Sequence, residues 1–106
     1  MNEGATFVLH PEAARDIKQI WEYIAPENVA AAGRIREEIS SAIRQLARFP
    51  LQGHLRPDLT SRPLRFKVVR DYLIAYAPEE KPLLVVGVLH GRRNPRVMAT
   101  ILRGRE

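Results

Sequence analysis

The chain has 106 residues and a mass of 12.1 kDa, room for one domain over residues 1–106 and too little for two. With 45% apolar and 27% charged residues it has the composition of a folded protein, and the absence of cysteine excludes disulfides, thiolate metal sites, iron–sulfur clusters and cysteine nucleophiles. The formal charge is +5, and fourteen of the seventeen basic residues are arginine, the side chain best shaped for bidentate contact with carboxylate or phosphate.

Thr6-Phe7-Val8-Leu9 is a short β-rich run that ends at His10-Pro11. Pro11 suits the first turn of a helix. Ala13, Ile17, Ile20, Trp21 and Ile24 then recur at helical spacing until Pro26. A longer helix starts at Glu27 or Asn28, with Ala32, Ile35, Ile39, Ala42, Ile43 and Leu46 as its apolar stripe. On its other face Arg34 and Glu38 stand one turn apart and are expected to pair. The short connection marked by proline makes the two helices an antiparallel hairpin.

From Phe49 to Pro63 the periodicity dissolves into a loop with four prolines and glycines, too polar for core. The period then changes to two. Leu64, Phe66 and Val68 alternate with Arg65 and Lys67, predicting a strand with one basic face. A turn at Arg70-Asp71 leads to a strand over Tyr72–Tyr76, and a turn over Pro78–Pro82 leads to the apolar run Leu83–Leu89, which reads as a central strand. Asn94 and Pro95 open a short final helix with Gly104 as its stop. The fold class is therefore α+β: an N-terminal strand, a helical hairpin on a mainly antiparallel sheet of about four strands, and a C-terminal helix. No apolar run approaches a membrane span, and Met1-Asn2-Glu3-Gly4 lacks the pattern of a signal peptide, so a cytoplasmic protein is expected.

The positive charge is uneven. His54–Arg70 holds Arg56, Arg62, Arg65, Lys67 and Arg70 against Asp58, and His90–Glu106 holds Arg92, Arg93, Arg96, Arg103 and Arg105 against Glu106. Such segments predict an acidic partner, protein or nucleic acid, beside the plainer reading of a solvated surface. Arg92, Arg93 and Arg96 cluster at a helix N-terminus, where the dipole disfavours positive charge, and this argues for outward functional use. His90 is either a general acid–base group or a cap for the following loop. Tyr72 and Tyr76 share one strand face and either pack on the hairpin or stack on bases. Trp21 is core or the rim of a partner groove. No histidine spacing suggests a metal site, and no cofactor is expected.

The ordered blocks Phe49-Pro50, Gly53, Arg56-Pro57-Asp58-Leu59, Arg65, Asp71-Tyr72-Leu73-Ile74-Ala75-Tyr76 and Val88-Leu89-His90-Gly91-Arg92-Arg93-Asn94 resemble the ParE branch of the RelE/ParE toxin superfamily. So do the opening strand and the first helix with Trp21. The resemblance implies the toxin of a type II toxin–antitoxin pair, found in bacteria and on plasmids. Such a toxin poisons DNA gyrase by binding, and an acidic ParD-like antitoxin neutralises it in a hetero-oligomer. Arg92, Arg93, Arg96, Arg103 and Arg105, together with the basic strand face of Arg65 and Lys67, would engage the target. Trp21, Arg56, Arg65 and Arg70 would meet the antitoxin.

The related RelE-type toxins cut messenger RNA on the ribosome, and that alternative would use Arg65, Lys67, His90 and Arg93. Two groups of the RelE pattern are missing here. Leu73 occupies the position of an arginine, and the tyrosine of the last helix falls near Ala99. The expected protein thus has no catalytic residues, no metal and no requirement for direct nucleic-acid binding. A plain nucleic-acid-binding domain is a third reading.

Overall fold

A computed structural model describes residues 6–105; residues 1–5, which include Met1-Asn2-Glu3-Gly4, and Glu106 lie outside that range. The elements are β1 (Phe7–Leu9), α1 (Pro11–Ile24), α2 (Val29–Arg48), β2 (Arg65–Val69), β3 (Tyr72–Ala77), β4 (Leu83–His90) and α3 (Pro95–Arg103). A single 3-10 turn, Pro50–Gln52, follows α2. No helix among the described residues is long and apolar enough to cross a membrane.

Each helix begins where local chemistry satisfies its first free N–H groups. His10 Nδ1 accepts from Glu12 N, Asn28 Oδ1 from Ala31 N, and Asn94 Oδ1 from Arg96 N. Pro11 and Pro95 fill first-turn positions that need no donor.

The sheet order is β1-β4-β3-β2. β2, β3 and β4 are antiparallel neighbours, and β1 runs parallel to β4. The predicted central strand is therefore central, and the sheet is mixed through β1 alone. Its two faces carry separate apolar clusters. On one, Ile74, Tyr76, Val85 and Val88 pack against Ala13, Ile39, Ile43 and Leu46 of the helical hairpin. On the other, Phe66, Leu73 and Val86 pack against Met98 and Leu102 of α3 and against Leu59 and Leu64.

The segment after α2 is more structural than its polarity predicts. Leu59 is 3% exposed and belongs to the second cluster. The Tyr76 hydroxyl donates to Pro50 O at 2.6 Å and accepts from Gly53 N at 2.8 Å. A side chain at Gly53 would lie 2.6 Å from that hydroxyl, so only glycine allows the approach. His54 then exchanges two backbone hydrogen bonds with Phe66 on the outer edge of β2. Prolines and polar residues hide this role because backbone and one distant tyrosine supply the contacts.

β2 and β3 are joined by the two-residue turn Arg70-Asp71, as predicted. Arg70 has φ 55°, in the left-handed region that disfavours a side chain. Its guanidinium makes a bidentate pair with Glu38 at 2.5 and 2.8 Å, which ties the turn to α2. Glu38 thus pairs with Arg70 and not with Arg34: both carry the same guanidinium fork, and the tertiary fold brings that of Arg70 within bidentate reach.

Candidate functional site

The basic surface is best built from α3. Burial of Met98 and Leu102 fixes which side of this short helix faces the sheet. Arg92, Arg93, Arg96 and Arg103 are left exposed. Arg92 approaches Asp71 at 3.5 Å. Among the described residues Arg93 and Arg96 have no carboxylate partner. The uncompensated cations stand at the N-terminal end of α3, where the helix dipole adds to their positive potential.

Arg105 does not belong to that surface. Its side chain is 9% exposed and forms a bidentate pair with Asp16 of α1, at 2.6 and 2.9 Å. The pair sits on the edge of β4, where β1 stops. The register of β3 on β4 shifts between Ala75 and Tyr76, leaving Val86 opposite no residue. Beyond this point Val86 O accepts from Arg105 at 3.2 Å, and Val88 N donates to Asp16 at 2.9 Å. Two side chains thus replace a missing strand. Gly87 permits this, because a Cβ there would lie 2.5 Å from the guanidinium. The expectation that Arg105 meets the target is corrected: it fastens α3 across the sheet to α1.

Arg65 and Lys67 are also separated from the α3 arginines. They lie opposite Tyr76 and Ile74, whose side chains pack in the hairpin cluster, whereas Phe66 lies opposite Ala75 in the α3 cluster. Directly opposed residues share a sheet face, so Arg65 and Lys67 project on the hairpin side. Alternation places them correctly on one face of the strand, but which face is basic is decided by the packing of Phe66. Arg65 further donates to Gly53 O at 2.8 Å, bracing the edge crossing.

The other residues expected to meet an antitoxin already hold partners within the chain. Arg56 forms a fork with Asp58 at 2.9 and 2.8 Å. That hydrogen bonding lowers the Asp58 carboxyl below its ordinary value and raises Arg56. The Arg70 pair likewise lowers Glu38. Arg56, Arg70 and Arg92 border one shallow cleft of about 210 Å³ at the β2–β3 turn. Trp21 is half-buried, with the Arg36 guanidinium 4.4 Å from its ring centroid, so it forms part of the hairpin surface rather than the deep core.

The four residues of the ribonuclease alternative are divided between β2, the end of β4 and the loop before α3. His90 and Arg93 line a cleft with Tyr23 and Tyr72. Arg65 and Lys67 lie on β2, with β3 between them and β4, on the order of 10 Å away by strand spacing alone. His90 Nδ1 accepts from Arg92 N at 3.3 Å, the capping role. Its ring meets that of Tyr72 edge-on at 5.6 Å. Tyr72 and Tyr76 both face the hairpin cluster, and burial raises both phenols above their ordinary value, so neither supplies a phenolate. Among the described residues no group of His, Asp and Glu has the arrangement of a metal site.

The sequence model of one family, described as the ParE toxin of the type II toxin–antitoxin system parDE, matches residues 7–95. No curated protein matches the sequence. Among solved structures, a chain of the chromosomal ParDE TA system from P. aeruginosa superposes with a TM-score of 0.67 at 14% identity, over 81% of this chain and 95% of that one. At that identity the likeness concerns the fold.

Proposed function

The chain belongs to the ParE toxin family of type II toxin–antitoxin systems, and from that premise we propose that it inhibits DNA gyrase by binding and is neutralised by an acidic ParD-like antitoxin. The observation that carries this reading is the division of the basic residues. Arg93 and Arg96 stand exposed at the start of α3, without acidic partners among the described residues, with Arg92 and Arg103 beside them. The basic groups of the nuclease reading are divided between β2, the end of β4 and the loop before α3. A rigidly seated cationic helix suits docking to an acidic surface, and it performs no bond-breaking step itself. Preferential binding to the state of gyrase that holds cleaved DNA would trap that state by population shift.

The antitoxin reading uses residues that meet Arg92 at the β2–β3 turn. Arg56 and Arg70 would exchange Asp58 and Glu38 for carboxylates of the partner, with Arg65 and Trp21 as further contacts. Beyond the His54 crossing, Val68 on the outer edge of β2 is 63% exposed, and an extended antitoxin segment would add a strand there. The complex is a cytoplasmic toxin–antitoxin hetero-oligomer, and on a plasmid such a pair stabilises the element that carries it.

Purified, antitoxin-free protein added to gyrase should block supercoiling and accumulate cleaved DNA, and reversal of charge at Arg93 and Arg96 together should abolish both effects. Unchanged supercoiling with scission of transcripts on translating ribosomes would reject this function in favour of the nuclease.

A further inference from the structure

One cleft shares only Arg93 with the docking surface. It lies between the second half of α1 and the ends of β3 and β4, and has a volume of about 260 Å³. α1 contributes Gln19, Ile20 and Tyr23; the sheet contributes Tyr72 and His90; the loop before α3 contributes Arg93. We infer that this cleft is a binding site for a nucleoside 5′-phosphate, its base lying against Tyr23 and Tyr72 and its phosphate held by Arg93 and His90.

Three observations converge on that ligand. The first is the donor set. His90 Nδ1 accepts from the backbone of Arg92, so the ring hydrogen of the neutral imidazole sits on Nε2 and is available to a ligand. Arg93 is exposed and has no carboxylate partner among the described residues. Asp16, the one carboxylate lining the cleft, is saturated by Arg105 and Val88 N. The site therefore presents donors to an anion, with its lone acidic group neutralised.

The second is the aromatic pair. Tyr23 is 83% exposed, the highest value among the exposed large hydrophobic side chains, and it lines the cleft with Tyr72. Tyr72 is oriented by its edge-on contact with His90. A planar base offers apolar area to such rings whatever its identity. The third is size: the volume lies just below the usual range for small-ligand sites, which suits one base and one phosphate with the sugar partly in solvent. An acidic peptide side chain would satisfy Arg93 but would leave the tyrosine walls without a planar occupant.

The same chemistry is presented by a free nucleotide and by the 5′-phosphorylated end of a strand. The full chain should be titrated, by NMR, with adenosine 5′-monophosphate, with a short 5′-phosphorylated single-stranded DNA, and with the same DNA lacking the phosphate. Saturable shifts confined to Tyr23, Tyr72, His90 and Arg93 are expected with at least one phosphorylated probe. A response to the mononucleotide identifies a free ligand, and a response to the phosphorylated strand alone identifies a strand end. Tyr23→Ala and Arg93→Gln, both at exposed positions that tolerate change, should each weaken binding at least tenfold. Equal binding of the unphosphorylated strand, indifference to both variants, or silence of both phosphorylated probes would each overturn the assignment. No gyrase enters this experiment, so its result is separate from that of the supercoiling assay.

Discussion

Replacing Arg105 by alanine should cost far more stability than a change two residues past the end of α3 would suggest. Arg105 and Asp16 are 9% and 12% exposed at their side chains, so solvent screens the pair little. Truncation leaves the Asp16 carboxylate with only the Val88 N–H and leaves Val86 O without its donor. Breaking one side of a buried pair costs about 3–5 kcal/mol, and the surviving Val88 bond favours the lower end. A domain of this size loses roughly 4–5 °C of Tm per kcal/mol, so Arg105→Ala should melt about 12–15 °C lower. That is a large share of the roughly 5–15 kcal/mol available to a small domain. Urea unfolding and calorimetry should agree. Arg105→Lys, which keeps the charge but not the fork, should fall between. Asp16→Asn combined with Arg105→Ala should cost less than the sum of the two single changes. A loss below about 0.5 kcal/mol for Arg105→Ala, or strict additivity in the double variant, would refute the edge-plug account.

Tyr76→Phe removes a hydrogen bond to Pro50 O and leaves Gly53 N unpaired, at about 1–3 kcal/mol by chemical denaturation. Burial raises the phenols of Tyr72 and Tyr76, so their neutral forms stabilise the fold fully below pH 10, and that contribution is lost as pH rises beyond it. The alkaline decline should be shallower in Tyr76→Phe. Asp58 and Glu38 should titrate by NMR below their ordinary values of 3.8 and 4.5. Their contribution to stability is present above those values and lost as pH falls through the lowered ones, and Arg56→Ala or Arg70→Ala should return each carboxyl towards normal. Arg70→Gly should be nearly neutral in thermal melts, because relief of about 1–2 kcal/mol of left-handed backbone strain offsets the loss of a solvent-exposed ion pair. A clear loss of stability there would show that the Glu38 fork, and not turn geometry, holds the β2–β3 corner.

The contrast between readable and unreadable features follows from the range of the forces involved. Helix stripes, the alternation through Phe66, the apolar run of β4 and the asparagine caps are local, and each depends on residues within a few positions of one another. They settle the element order, the helical hairpin and the α+β class. The outward arginines at 92, 93, 96 and 103 are legible for the same reason, since charges that break no apolar pattern stay in water. Arg105 looks identical to them in sequence. Its role is set by Asp16, 89 positions away, which reaches it only because β1 is three residues long and leaves the edge of β4 open. The choice of Arg70 over Arg34 as the partner of Glu38, and the side of the sheet on which Arg65 and Lys67 emerge, have the same origin. The amino-acid order alone thus determines which elements form and how much positive charge the surface carries. Only the packed fold decides which of those charges are spent internally, because burial and pairing are properties of neighbours in space.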